Sequence, residues 1–166
     1  MTLGEVLENI LDDIDESKND SAIVGKLTRF INRGYKELAK REYLNKIRTT
    51  TLTDGRAKLP YDCYRVLHCY NEGIPVAYQL KGEYIYADGE SIELQYCYLP
   101  EAIKEKEEFE TEDCNIEFIV NYAKYLYYLS ESLTDEASLF KMEYDKMDIV
   151  KKVRGIENII DVYGVI

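Results

Sequence analysis

Tryptophan is absent from this chain, histidine occurs once, at His68, and no two of the four cysteines are spaced Cys-x-x-Cys. Each shortage removes a class of chemistry. His68 lies in the β-rich run Tyr64–Tyr70 directly before Cys69, and neighbours on a strand point to opposite faces, so the two form no nucleophile pair. Cys63 and Cys69 share a face, and a zinc site with Cys97 and Cys114 can be drawn, but the paired-ligand spacing of structural zinc sites is missing. Neither G-x-x-x-x-G-K-[ST] nor G-x-G-x-x-G occurs. Carboxylates abound, yet pairs such as Asp12-Asp13 and Glu107-Glu108 sit in polar runs where burial has nothing to act on. These residues predict a protein that is not an enzyme and holds no cofactor or metal.

Basic residues are scarce too: 21 Lys and Arg stand against 32 Asp and Glu, a net charge of -11. A protein whose main task is to grip nucleic-acid phosphates would show the reverse. No apolar run reaches transmembrane length and no signal-peptide pattern opens the sequence, which predicts a cytosolic protein with reduced thiols.

The chain has 16 tyrosines, residues favoured on surfaces that become half buried on association, and enough apolar residues, 46%, for one sizeable core. Thr2 and Glu5 have the form of a capping box, and Leu3, Val6, Leu7, Ile10 and Ile14 share a helical face opposite Glu5, Glu8, Asp12 and Asp15. After the turn Glu16–Asp20, a second helix buries Val24, Leu27, Ile31, Gly34, Tyr35 and Leu38. Beside that stripe run Lys26, Arg29, Arg33, Lys36 and Lys40, the one concentrated basic feature. It pairs with the acidic face of helix 1, is solvated, or meets an acidic face of a neighbouring subunit.

From Thr49 to Tyr98, short β-rich runs broken at Asp54-Gly55, Glu72-Gly73, Lys81-Gly82 and Asp88-Gly89 read as consecutive antiparallel hairpins. In the last of them Ile92, Leu94, Tyr96 and Tyr98 share the buried face, leaving Glu93 and Gln95 on an exposed one. Glu101–Asp113 reads as a charged, solvated connector with Ile103 and Phe109 to bury. Asn115 is placed as the cap of helix 3, whose inward stripe is Ile119, Tyr122, Leu126, Leu129 and Leu133. Tyr125, Tyr127 and Tyr128 carry its apolar surface further round and predict contacts on two sides. Thr134 caps helix 4, with Ala137, Phe140, Tyr144 and Met147 inward. The tail 153–166 is apolar and β-branched; it adds as a strand to another sheet, lies in a groove, or folds back on its own core. The expected fold is α+β: mainly an α-helical bundle of about four helices over residues 1–152, with a small antiparallel β-hairpin insert at about 49–98 between helices 2 and 3, then an apolar docking tail at 153–166.

Two segments resemble the head-to-tail adaptor (connector) proteins of tailed bacteriophages. Ile31-Asn32-Arg33-Gly34-Tyr35-Lys36-Glu37-Leu38 matches that family's Ile-Asn-x-Gly-Tyr-x-Glu-Leu helix, and Leu59-Pro60-Tyr61-Asp62-Cys63-Tyr64-Arg65-Val66 its Leu-Pro-x-Asp-Cys-Tyr-Arg-Val strand; Gly82–Ala87 and Ile92–Tyr98 follow in order. The resemblance implies a virion protein at the head-tail junction with no catalytic residues. It implies a ring, typically twelve-fold, beneath the portal, extending the DNA channel without binding DNA specifically and presenting a surface to a tail or stopper protein. The family's C-terminal segment reaches onto the portal; the matching positions are Ile156, Ile159, Ile160, Val162, Tyr163, Val165 and Ile166. Head-to-tail contacts need two complementary surfaces. Lys26, Arg29, Arg33, Lys36 and Lys40 with Tyr125 and Tyr128 are one candidate, and the acidic run Glu105–Asp113 is the other. A small acidic module that inhibits a nucleic-acid-handling protein is the alternative reading.

Overall fold

The computed structural model describes residues 1–41, 44–111 and 113–146. The chain divides into two compact units, one formed by Met1–Gly34 with the residues from Ala102 on, the other by Tyr35–Glu101.

In the first unit, α1 (Leu3–Asp13) starts at the expected capping box: the Glu5 N–H donates to the Thr2 hydroxyl, and the Thr2 N–H donates to the Glu5 carboxylate at 2.7 Å. Leu3, Val6, Leu7, Ile10 and Leu11 are buried, with Leu11 in the place expected of Ile14, which has become the C-cap. At about 1.5–3 kcal/mol for each large apolar side chain, this burial outweighs what a cap supplies. Asp20 accepts from the N–H groups of Ala22 and Ile23 and so starts α2 (Ser21–Lys40), which buries Leu27 and Ile31.

The connector is less solvated than its charge implies. Its backbone lies along the start of α1: the N–H groups of Leu3 and Gly4 donate to the carbonyls of Glu107 and Glu105, and the Phe109 N–H donates to the Met1 carbonyl. Gly4 permits that approach, because a Cβ there would stand 3.0 Å from the Glu105 carbonyl. Phe109 is buried, as expected.

Helix α3 (Asp113–Ser130) starts before Asn115, which is therefore not its cap but a buried first-turn residue donating to the Thr111 hydroxyl. Leu129 and Leu133, expected inside, are 45% and 43% exposed, because the helix ends at Ser130 and a turn follows. Residues 134–146 form the helix α4. Tyr144 enters between the rings of Phe118, Tyr122 and Tyr125, at centroid distances of 5.5, 5.4 and 5.7 Å, and Phe140 stacks on Tyr128 at 5.3 Å. Much of the tyrosine in this stretch is thus spent joining α3 to α4. Met147 lies outside the described residues.

The second unit corrects the expected fold class. Residues 45–98 are not a small hairpin insert in a helical bundle but seven strands, β1 (Asn45–Thr51), β2 (Arg56–Lys58), β3 (Cys63–Asn71), β4 (Ile74–Pro75), β5 (Tyr78–Lys81), β6 (Tyr84–Ala87) and β7 (Ser91–Tyr98). They form two antiparallel sheets, one of four strands ordered β1-β7-β3-β4 and one of three ordered β2-β6-β5. The physical reason is that Asp54-Gly55 is not the tip of a hairpin between β1 and β2. The bend is real, with φ of 53° and 68° at those residues, but only Thr53 and Arg56 pair across it. Beyond it the chain changes sheets: β1 pairs along its whole length with β7, while β2 pairs with β6. Glu72-Gly73 and Gly82 do close local hairpins, β3–β4 and β5–β6.

Strand β7 lies between β1 and β3. Ile92, Leu94, Tyr96 and Tyr98 are buried and Glu93 exposed, as the alternation predicts, but Cys97 is fully buried on the face expected to be open.

Candidate interaction surface

On α2, side chains at 26, 29, 33, 36 and 40 fall on one face because three- and four-residue steps return to the same side of a helix. The Lys26 ammonium is tied down: it pairs with Glu131 just after α3 and lies 5.6 Å from the centre of the Tyr127 ring. Tyr127 in turn donates to Glu16 at 2.8 Å, and burial, followed by that carboxylate, pushes its hydroxyl up to about 12. Lys40 stands 3.6 Å from Glu37 on its own helix. Arg29, Arg33 and Lys36 are exposed and have no ion-pair partner among the described residues. On the acidic face of α1, Glu8 pairs with Lys18; off that face, Asp13 pairs with the largely buried Lys124.

Tyr125 and Tyr128 are half-buried; Tyr125 lies tilted against Tyr144 and Tyr128 stacks on Phe140, both on α4. On the connector, Glu105 and Glu108 are exposed. The tail residues Ile156, Ile159, Ile160, Val162, Tyr163, Val165 and Ile166 lie outside the described residues.

The sequence motifs have structural explanations. Asn32 clamps the connector: its Nδ2 donates to the Ile103 carbonyl at 3.2 Å, and its Oδ1 accepts from the Ile103 N–H at 2.8 Å. Gly34 lets α2 approach α3, since a Cβ there would stand 3.3 Å from the Tyr122 ring and 3.4 Å from the Ile119 Cα. In the second motif, the Asp62 carbonyl accepts from the Leu99 N–H, and its carboxylate accepts from the Tyr96 hydroxyl. Tyr96 is pushed up to about 12, by burial first and Asp62 second.

Sequence reasoning missed several exposed apolar side chains, notably Tyr61 at 89% and Ile47 at 69%. The turn formed by Pro60-Tyr61-Asp62 was the available signal for Tyr61, because a turn tip has nothing above it to cover a ring.

Among the described residues no group of three His, Cys, Asp or Glu is placed to hold a metal ion. His68 is exposed while Cys69 is buried. Burial raises the thiols of Cys63 and Cys69 above their ordinary value, the reverse of what a thiolate nucleophile requires. No described helix is long and apolar enough to cross a membrane.

No curated protein matches the chain. The family model described as SU10 adaptor protein matches residues 1–87, more than half of the chain, through α1, α2 and the strands up to β6. With both motif segments inside that match, the chain belongs to the SU10 adaptor protein family and is a phage adaptor, in agreement with the resemblance carried by Ile31–Leu38 and Leu59–Val66.

Proposed function

We propose that this adaptor closes into a ring beneath the portal of a tailed phage, twelve-fold as in the head-to-tail adaptors it resembles. The ring extends the DNA channel and offers its far side to a tail or stopper protein. Arg29, Arg33 and Lys36 carry the reading: three exposed cations on one helical face, without ion-pair partners among the described residues, in a chain of net charge -11. A heterologous ring needs two unlike, complementary patches, and the exposed carboxylates of Glu105 and Glu108 supply the second on a neighbouring copy. Such rim charges set register and association rate more than affinity. The acidic balance also leaves the channel little with which to hold DNA phosphates.

The test is to incubate the chain with a portal ring and count the retained copies by light scattering after size exclusion. Arg29→Glu with Arg33→Glu is expected to reduce the retained copies while moving Tm by no more than about 2 °C, since exposed substitutions change stability by about 0.5 kcal/mol or less. An unchanged copy number overturns the role of this face. A lone monomer that ignores the portal overturns the ring itself and favours the small acidic binding module.

A further inference from the structure

Natural sheets protect their edges with short strands, prolines or bulges. The other outermost strands in this chain follow that rule: β4 has two residues and ends in Pro75, β2 has three and β5 has four. The outer edge of β1 does not. Seven residues pair with β7 in unbroken register, with no proline, glycine or bulge, and six of the seven are exposed. Ile47 stands 69% exposed at its middle. A straight edge of this length presents a row of outward N–H and C=O groups, a template for an added strand.

We propose that residues 156–166 of a neighbouring copy add to β1 as an antiparallel strand. The proposal rests on the ring reading for the presence of that neighbour. The edge carries Arg48 and no acid, so it favours an acidic strand; the segment carries Glu157 and Asp161 and no base. It contains no proline, and Ile, Val and Tyr supply most of it, the residues that suit a pleated, half-buried position. One register satisfies charge and apolarity together. With Asp161 opposite Arg48, Tyr163 falls opposite Lys46 on the same face, while Val162 falls opposite Ile47 and Ile160 opposite Thr49 on the other. A Lys46–tyrosine contact already exists in the fold, since its ammonium lies 4.0 Å from the centre of the Tyr98 ring. Between the last described residue of α4 and the segment lie nine residues, whose greatest reach is about 30 Å.

The experiment mixes two full-length variants, Ile47→Cys and Val162→Cys, under mild oxidation, and reads the products on a non-reducing gel beside the parent chain and each variant alone. Directly opposed strand residues have Cα atoms within disulfide range. The expected result is a species of twice the chain mass in the mixture only. No such species in the mixture overturns the proposal, as does a cross-link in Ile47→Cys alone, which would mean that two β1 edges pair with each other. Ile47 is exposed, so its substitution leaves the core intact. As a second readout, Arg48→Glu placed in the Ile47→Cys chain is expected to weaken the link to a Val162→Cys chain, and adding Asp161→Arg to the latter to restore it; no restoration overturns the register. The copy number on the portal ring reports separately: a full ring without the link overturns the strand addition alone, whereas the link without a closed ring supports the strand addition and overturns the ring.

Discussion

At the scale of single residues, the two positions that look most like a signature act inside the fold. Gly34 is small because α3 lies against it, and Asn32 is an amide because its two ends reach Ile103 at once, one donating to the carbonyl and the other accepting from the N–H. The second claim has a measurable consequence. Asn32→Ala leaves the Ile103 N–H and carbonyl to water or to nothing, and is expected to cost roughly 1–3 kcal/mol. Chemical denaturation should show a lower midpoint with an unchanged m-value, since the surface exposed on unfolding stays the same. Asn32→Asp keeps the acceptor for the Ile103 N–H but sets a carboxylate against the Ile103 carbonyl, so it should not rescue the loss. Full stability in the alanine variant would mean that the connector is held by its backbone bonds to the start of α1 alone.

At the scale of elements, what could be read from sequence was what depends on neighbours along the chain. The capping box of α1, the buried stripe of α2 from Leu27 to Leu38 and the alternation of β7 up to Cys97 are local, and each stands where the sequence pattern puts it, while Val24 at the head of the stripe is only half-buried. The pairing of β1 with β7 is not local: Asn45 and Cys97 are partners more than fifty residues apart, and Asp54-Gly55 looks the same whether the strands around it pair or part. Hence the hairpin reading recovered the local turns and lost the topology. The candidate site divides likewise: helical spacing gives the basic face of α2, but that Lys26 is neutralised by Glu131 and that β1 is an open edge depend on long-range placement. The capping box carries its own prediction. The Thr2 N–H, followed by the Thr2 hydroxyl, holds the Glu5 carboxyl below its ordinary value. A depressed folded-state value stabilises above the unfolded value and ceases to do so as pH falls through the folded one. The Tm of the parent chain should therefore exceed that of Glu5→Gln near neutral pH and converge with it in acid. Parallel curves would assign the helix start to Thr2 alone.

At the scale of the whole molecule, charge is divided unevenly between the two units. Residues 35–101 carry nine Lys and Arg against ten Asp and Glu, so almost all of the net -11 belongs to the helical unit and the segments that continue from it. A nearly neutral sheet unit can approach its own copies without the self-repulsion that the helical unit carries. That division makes the tail 156–166 separable from the charged face in an experiment. Deleting it is expected to leave Tm within about 2 °C of the full chain, because a segment that acts between copies contributes little to an isolated one. The same deletion should reduce the copies retained on a portal ring, and the deficit should persist at low salt, where the charge contacts of α2 are strongest. A fall in Tm of many degrees would instead assign the segment to the chain's own core, and recovery of a full ring at low salt would leave the α2 face as sufficient for assembly.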